Sequence, residues 1–297
     1  MSAAKTLIII NPNSGTNSKQ DLPKLFSQYL NSNIFNVTIQ FTTHPGHATE
    51  ITREATNQGV ENIIAVGGDG TINEIARALL HTKVNLGIIP SGSGNGLARH
   101  FKIPLKTIEA IKALNNSRVE IADSGSLNEH PFFCTAGVGF DAHIGQKFSE
   151  AGTRGLSTYV KTILKEFVNY QPEIYQITTP ETKIREQAFL ITFANTNQYG
   201  NNAYIAPKAN TSDGLLDVCL LKPFPLYKSP QIGIKLFSGS MNKSRYMKTL
   251  QCSQLEIERY QPGAAHVDGE PIYLDEKLEI KCIPASIRIL VPKEKGT

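Results

Sequence analysis

The chain has 297 residues, enough for one large domain or two modest ones with sizeable cores. Hydrophobic residues make up 40% and charged residues 19%, with 23 Gly and 16 Pro, which excludes a disordered or fibrous protein. A formal charge of +4 suits an acidic ligand or an anionic membrane surface, and no basic block is dense enough to argue for nucleic acid.

The four cysteines, Cys134, Cys219, Cys252 and Cys282, lie in or beside apolar runs with no Cys-x-x-Cys pair. They read as reduced core thiols of a cytoplasmic protein. The apolar run Leu7–Ile10 is too short for a signal-peptide core or a membrane span. Contact with a membrane is therefore expected to be peripheral.

In chain order, Thr6–Ile10 reads as a buried strand running into the polar loop 11–17. A helix follows, with Leu22, Leu25, Phe26, Tyr29 and Leu30 on its apolar face. Val37–Phe41 is a second strand, 48–58 a second helix, and 63–66 a third strand. That strand enters Gly67-Gly68-Asp69-Gly70-Thr71, and apolar residues at 72, 75, 76, 79 and 80 mark the next helix. Thr71 and Glu74 have the offset of a capping box. Leu86–Ile89 is a fourth strand, followed by the loop 90–96, a short helix at 97–101 and a longer one at 105–115.

Alternating strands and helices predict an open, largely parallel sheet, which binds ligands beyond the C-terminal ends of its strands. Three loops rich in Gly, Ser, Thr or Asn fall there: 11–17, 67–71 and 90–96. Glycines let backbone approach a ligand, and the amides opening the following helix attract an anion. The Walker A pattern is absent, so phosphate charge must be met by metal and backbone dipoles rather than a P-loop lysine. Asn11 and Asn95 either bond a base or ribose or cap their own turns. Asp123 ends the strand at 119–123 and either joins Asp69 around Mg²⁺ or forms a turn.

Beyond Asp123 the pattern changes. Residues 132–141 read as a strand entering a glycine turn, and 153–170 as a helix. Strand-like runs follow at 174–178, 187–195, 215–221, 253–259, 264–268, 271–274, 277–283 and 286–291, with one more helix at 230–241. This predicts an antiparallel, sandwich-like second domain. The expected division is 1–125 as a nucleotide-binding α/β domain and 126–286 as a β-rich lipid-substrate domain, with 287–297 returning to the first as an open alternative. The turn 210–217 either holds a hard cation through Asp213 and carbonyls or faces solvent. Asp268-Gly269 is either a hairpin turn or a rigid mount for a proton-accepting carboxylate.

In combination, these stretches resemble the diacylglycerol kinase catalytic family, and more closely the single-chain bacterial lipid kinases related to diacylglycerol, sphingosine and ceramide kinases. The matching pieces are Asn11-Pro12 with Ser14-Gly15, Gly67 to Thr71 with Asn73-Glu74, and Pro90 to Asn95. Ala136 to Asp141, Asp213-Gly214-Leu215 and Asp268-Gly269-Glu270 complete the series in family order.

The resemblance implies a first domain similar to those of NAD kinases and phosphofructokinases, a β-rich second domain and a cleft between them. It implies ATP held by Asn11, Asn13, Gly67, Gly68, Asp69, Gly70, Thr71, Glu74, Ser91, Gly92, Ser93 and Asn95. Mg²⁺ would be organised by Asp69 and Asp123, partly through water. Asp268 would be the general base toward a lipid hydroxyl, supported by Glu270. A second, structural Mg²⁺ would use Asp213 and the Asn210 and Leu215 carbonyls.

Many bacterial members carry Asp where this chain has Gly96, so the Gly-Ser-Gly-Asn wording looks more like sphingosine and ceramide kinases. The expected activity is transfer of the ATP γ-phosphoryl group to a lipid hydroxyl at the inner face of a membrane. A soluble NAD kinase is the alternative, and a homodimer is left open.

Overall fold

Ile8, Ile9, Ile10, Ile63 and Ile64 are fully buried, which is what a strand covered on both faces requires of its sequence. The computed structural model describes residues 2–15, 19–151, 165–167 and 169–293. The chain divides into two units, residues 1–123 with 285–297, and residues 124–284.

The first unit alternates strands and helices. Its elements are β1 (Ala4–Ile10), α1 (Leu22–Tyr29), β2 (Phe35–Phe41), α2 (His47–Asn57), β3 (Asn62–Gly67), α3 (Asp69–Leu79), β4 (Asn85–Pro90), α4 (Gly96–His100) and α5 (Thr107–Leu114). The strand β5 (Ser117–Leu127) follows. The parallel order is β2-β1-β3-β4, with Ile10 opposite Val66 and Ile89 opposite Val66 from the other side. Helix α3 packs on β3 and β4, and α5 on β4. Late in the chain Arg288 and Ile289 add a further parallel pairing to β4, and Arg288 Nε donates to Asn85 Oδ1 at 3.0 Å.

The second unit contains β6 (His130–Phe132), β7 (Thr135–Gly139), α6 (Phe140–Ala151), β8 (Glu173–Thr178), β9 (Lys183–Ala188), β10 (Leu190–Ala194) and β11 (Leu216–Leu221). It continues with α7 (Ser229–Phe237), β12 (Met247–Cys252), β13 (Gln254–Glu258), β14 (Gly263–Val267) and β15 (Glu270–Leu274). The last strand, β16 (Lys277–Pro292), has residues in both units. One sheet runs β12-β11-β10-β7-β14-β15 and is antiparallel throughout. A second antiparallel set pairs the start of β16 with β13, β13 with β8, and β8 with β9. Side chains from both sets form one core that includes Phe132, Tyr175, Phe193, Val218, Ile257 and Val267, the layered arrangement of a sandwich. A second cluster joins Phe140 and Ile144 of α6 to Phe189, Leu190, Ile205 and Met241.

Several sequence expectations need correction here. Residues 140–151 are helical, although no helix was read there; Gly145 and scattered polar residues weaken the pattern, yet Phe140 and Ile144 are a buried i, i+4 pair. β12 was missed because its side chains are mostly half-buried and it lacks an apolar run. The runs 277–283 and 286–291 are one strand. The helix expected over 153–170, including Arg154 and Lys161, lies largely outside the described residues, as do Thr16 and Asn17. No helix among the described residues is long and apolar enough to cross a membrane.

Candidate active site

β1, β3 and β4 are adjacent and parallel, so the three polar loops leave the same edge of the sheet. Contacts between them are backbone-close. A Cβ on Gly15 would lie 2.1 Å from the Ser91 carbonyl oxygen, and one on Gly92 would lie 2.7 Å from the Gly68 Cα. Asn11 Nδ2 donates to Thr71 Oγ1 at 2.9 Å, and the Ser91 amide donates to the Gly67 carbonyl at 2.8 Å. Only glycine permits such approach, which is also what lets backbone amides reach a phosphate.

Asp69 opens α3, and its carboxylate ties two loops together. Oδ2 accepts the Asn95 amide and Oδ1 the Gly96 amide, both at 2.8 Å. Burial raises the Asp69 pKa, opposed by these amide bonds and by the nearby Arg99. Arg99 in turn donates from Nε to the Gly94 carbonyl at 2.9 Å. Gly96 therefore takes part through its backbone.

Asn95 adopts a left-handed conformation with φ 52°. Its Oδ1 accepts the Gly92 amide at 3.0 Å and its Nδ2 donates to the Gly92 carbonyl at 2.8 Å. Asn11 Oδ1 accepts the Asn13 amide at 2.9 Å. The Asn95 bonds are those of turn capping, whereas Asn11 caps its turn through Oδ1 and joins the 67–71 loop through Nδ2. The Thr71–Glu74 capping box is overturned: α3 begins at Asp69 with Gly68 as its N-cap and no side-chain cap bond. Glu74 Oε1 instead accepts the Gly46 amide at 3.1 Å.

One functional side chain escaped the sequence reading. Lys19 is 8% exposed and its Nζ donates to Ser91 Oγ. Burial lowers its pKa. A lysine thus does reach a glycine loop, and it comes from the segment before α1 rather than from a Walker A pattern. The signal was its position four residues after Gly15, in a segment with no periodic pattern. Ser93 lies in the same loop as Ser91, and Gly70 with Thr71 supplies first-turn amides of α3 that have no acceptor within the helix.

Asp123 is buried and its Oδ1 accepts the Ala285 amide at 2.7 Å, within the first unit. Asp69 thus accepts from the 95–96 backbone and Asp123 from that of Ala285. Among the described residues, the trio of side chains close enough to share a metal is His44, His47 and Glu50, at the start of α2, and includes neither aspartate.

In the second unit, Asp268 and Gly269 both have positive φ, 49° and 85°, in a two-residue turn between the paired Val267 and Glu270. The Asp268 carboxylate accepts three amides: Phe133 at 2.9 Å on Oδ2, and Cys134 at 2.7 Å and Thr135 at 3.0 Å on Oδ1. Hairpin and carboxylate mount are therefore the same feature. These three amides orient the carboxylate. Glu270 is exposed beside it. Two residues before Asp268, His266 Nε2 lies 3.1 Å from Asp141 Oδ2, which also accepts from Tyr199 Oη.

In the 210–217 turn, Asp213 Oδ1 accepts the Leu215 amide at 3.0 Å, and Asn210 Oδ1 accepts the Ser212 amide at 3.2 Å. Asp217 has its pKa raised by burial and, more weakly, by the charge of Asp213. Asp213, whose charge reaches Asp217, and the carbonyls of this turn are of the oxygen donor type that a hard cation takes. The glycine-lined loops with Lys19 and helix-start amides likewise fit a polyphosphate.

Fold and loops together define an α/β unit with three glycine-bearing loops at one sheet edge, followed by a β-sandwich unit. Residues 5–127 match the diacylglycerol kinase catalytic domain, and residues 134–291 match the YegS C-terminal NAD kinase beta sandwich-like domain. A probable lipid kinase YegS-like from Yersinia enterocolitica is 30% identical over 97% of both chains. One from Pseudomonas aeruginosa is 29% identical over 86% of this chain and 85% of its own. A solved structure described as a diacylglycerol kinase from Bacillus anthracis has a TM-score of 0.75 at 22% identity, covering 97% of this chain and 96% of its own. The chain belongs to the diacylglycerol kinase-like, YegS-like family of lipid kinases, and is a kinase.

Proposed function

We propose that the protein transfers the γ-phosphoryl group of ATP to the hydroxyl of a membrane lipid, a glycerolipid or a sphingoid lipid. The observation that carries this reading is the meeting of Lys19 and Ser91 amid three glycine-bearing loops at one sheet edge. Lys19 and the first-turn amides of α3 hold the phosphates and offset their charge. Asp69 and the Asn95 side chain keep the 91–96 loop in the shape that presents Ser91 and Ser93. Asn11, Asn13, Gly67, Gly92 and Glu74 support the same cradle.

Mg²⁺, bound through Asp69 and Asp123 by way of water, would add positive charge at the phosphates. Asp268, oriented by three amides, receives the proton of the attacking hydroxyl, and Glu270 lies beside it. In a loose phosphoryl-transfer transition state that proton moves late, so a well-ionised, well-aimed carboxylate suffices. The second cation belongs to Asp213 with the Asn210 and Leu215 carbonyls, away from the chemistry. The lipid is met at the inner face of a membrane.

The test is labelled ATP with Mg²⁺ and mixed micelles of diacylglycerol, phosphatidylglycerol, sphingosine, ceramide or monoacylglycerol, beside soluble NAD. Label in one lipid, abolished by Asp268→Asn, is expected. Label confined to NAD would overturn the lipid assignment.

A further inference from the structure

The helix α7 carries apolar side chains on two opposite faces. Ile232 and Leu236 pack inward on the second cluster of its unit. Ile234 and Phe237 point the other way and are 70% and 60% exposed; just before the helix, Leu226 is 49% and Tyr227 74% exposed. No residue of α7 is buried. Helical spacing places Ile234 and Phe237 on one face of α7, and Leu226 and Tyr227 are exposed in the 3₁₀ turn that leads into it. A surface helix of a water-facing protein normally presents polar residues there.

The charge around this face has one sign. From Val218 to Leu255 the chain contains no Asp or Glu, while Lys222, Lys228, Lys235, Lys243, Arg245 and Lys248 all fall within it. Lys222 and Lys248 pair with Glu186. Among the described residues, no carboxylate pairs with the other four. Lys228 lies over the Tyr227 ring at 5.5 Å, and Lys235 Nζ donates to the Lys243 carbonyl at 3.3 Å. Lys228 thus lies beside the exposed Tyr227, and Lys235 links α7 to the Lys243 segment.

We infer that the outer face of α7, with Leu226 and Tyr227, is the surface that docks on an anionic lipid bilayer. Ile234, Phe237 and Tyr227 enter the headgroup–acyl boundary while Lys228, Lys235, Lys243 and Arg245 meet lipid phosphates. A second copy of the chain fits this face poorly, because a two-fold contact would set these cations against themselves. The inference rests on the lipid-kinase reading for why a bilayer is the partner, and its test needs no turnover.

The test is co-sedimentation of the full chain with sucrose-loaded phosphatidylcholine vesicles, with and without phosphatidylglycerol. The protein is expected to bind the anionic vesicles, and raised salt to weaken binding. Ile234→Ser with Phe237→Ser is expected to lower vesicle affinity by roughly tenfold or more. Lys228→Gln, Lys235→Gln, Lys243→Gln and Arg245→Gln together should remove the preference for phosphatidylglycerol. Both variants should keep wild-type turnover on micellar lipid. Equal partition of wild type and variants, or a wild type that ignores anionic vesicles, overturns the proposal. So does a variant that changes only the sedimentation-equilibrium mass, since the face would then belong to a second copy. Label confined to NAD in the micelle assay is a separate failure, of the lipid assignment itself.

Discussion

Asp69 and Gly96 are joined through space by a 2.8 Å bond from the Gly96 amide to Asp69 Oδ1, with the Asn95 amide on the other oxygen. The acidic residue of the Gly-Gly-Asp-Gly stretch therefore shapes the neighbouring loop. Asp69→Ala leaves both amides without this acceptor, at a cost of about 1–3 kcal/mol each where water cannot replace it. The expected outcome is a lower melting temperature together with a loss of ATP affinity, read by calorimetry. Unchanged affinity in a folded variant would remove Asp69 from the nucleotide site.

Lys19 couples function to stability through pH. Its folded-state pKa is lowered by burial from the ordinary 10.5. Below the lowered value both folded and unfolded chains carry the charge, and the burial cost is present in full. Above 10.5 neither carries it and the cost is gone. Lys19→Met is therefore expected to be more stable than wild type at neutral pH, with the gain shrinking as pH rises through the window below 10.5. The same variant should bind ATP at least roughly tenfold more weakly, as loss of a charge-assisted phosphate contact implies. Denaturant titrations across that pH range and equilibrium binding check the two halves separately.

Gly92→Ala tests the close packing of the loops. The added methyl would meet the Gly68 Cα at 2.7 Å and Asn95 Oδ1 at 3.2 Å, and backbone on one side cannot rotate away. The loops must separate, so ATP affinity should fall while the sandwich unit, probed by its own proteolysis pattern, stays as resistant as in wild type. Wild-type affinity would mean that phosphate binding does not depend on the Gly68–Gly92 approach.

What the sequence disclosed follows from where its information is local. The runs Leu7–Ile10, Ile63–Val66 and Leu86–Ile89 announce buried parallel strands because every residue is apolar, and a polar loop after each marks one sheet edge. Lys19 was invisible because its partner Ser91 is 72 residues away and its segment has no period. Thr71 and Glu74 satisfied a local capping pattern, but the helix starts two residues earlier and Glu74 serves the Gly46 amide of another loop. Asp268-Gly269 could be read as a hairpin or as a carboxylate mount. Only the long-range bonds to 133–135 reveal that the hairpin turn also fixes the carboxylate. The outer face of α7 was legible as a helix, yet its exposure depends on which face the unit's core selects.

The 210–217 turn gives a metal-dependent stability effect. Asp213 lies close enough to Asp217 to help raise its pKa, so a bound cation should relieve repulsion between them. Adding Mg²⁺ is expected to raise the melting temperature of the wild type. Asp213→Ala should abolish that increment while leaving ATP affinity intact. An equal Mg²⁺ response in the variant would place the stabilising ion elsewhere.

Asp268 separates into two tasks that different substitutions can tell apart. Asp268→Ala deprives the Phe133, Cys134 and Thr135 amides of their acceptor, so it should lower both thermal stability and turnover. Asp268→Asn keeps the side chain's shape and one acceptor oxygen, which can still serve Cys134 and Thr135, but it cannot take up a proton at neutral pH. It should therefore melt closer to wild type while turnover on the lipid falls by roughly 10²–10⁴-fold. The KM for ATP should stay near its wild-type value, since that nucleotide belongs to the other unit's loops. If Asp268→Asn instead keeps more than about a tenth of wild-type turnover, less than the loss expected for a general base, then Asp268 is a clamp on the 133–135 backbone and the proton goes to another acceptor.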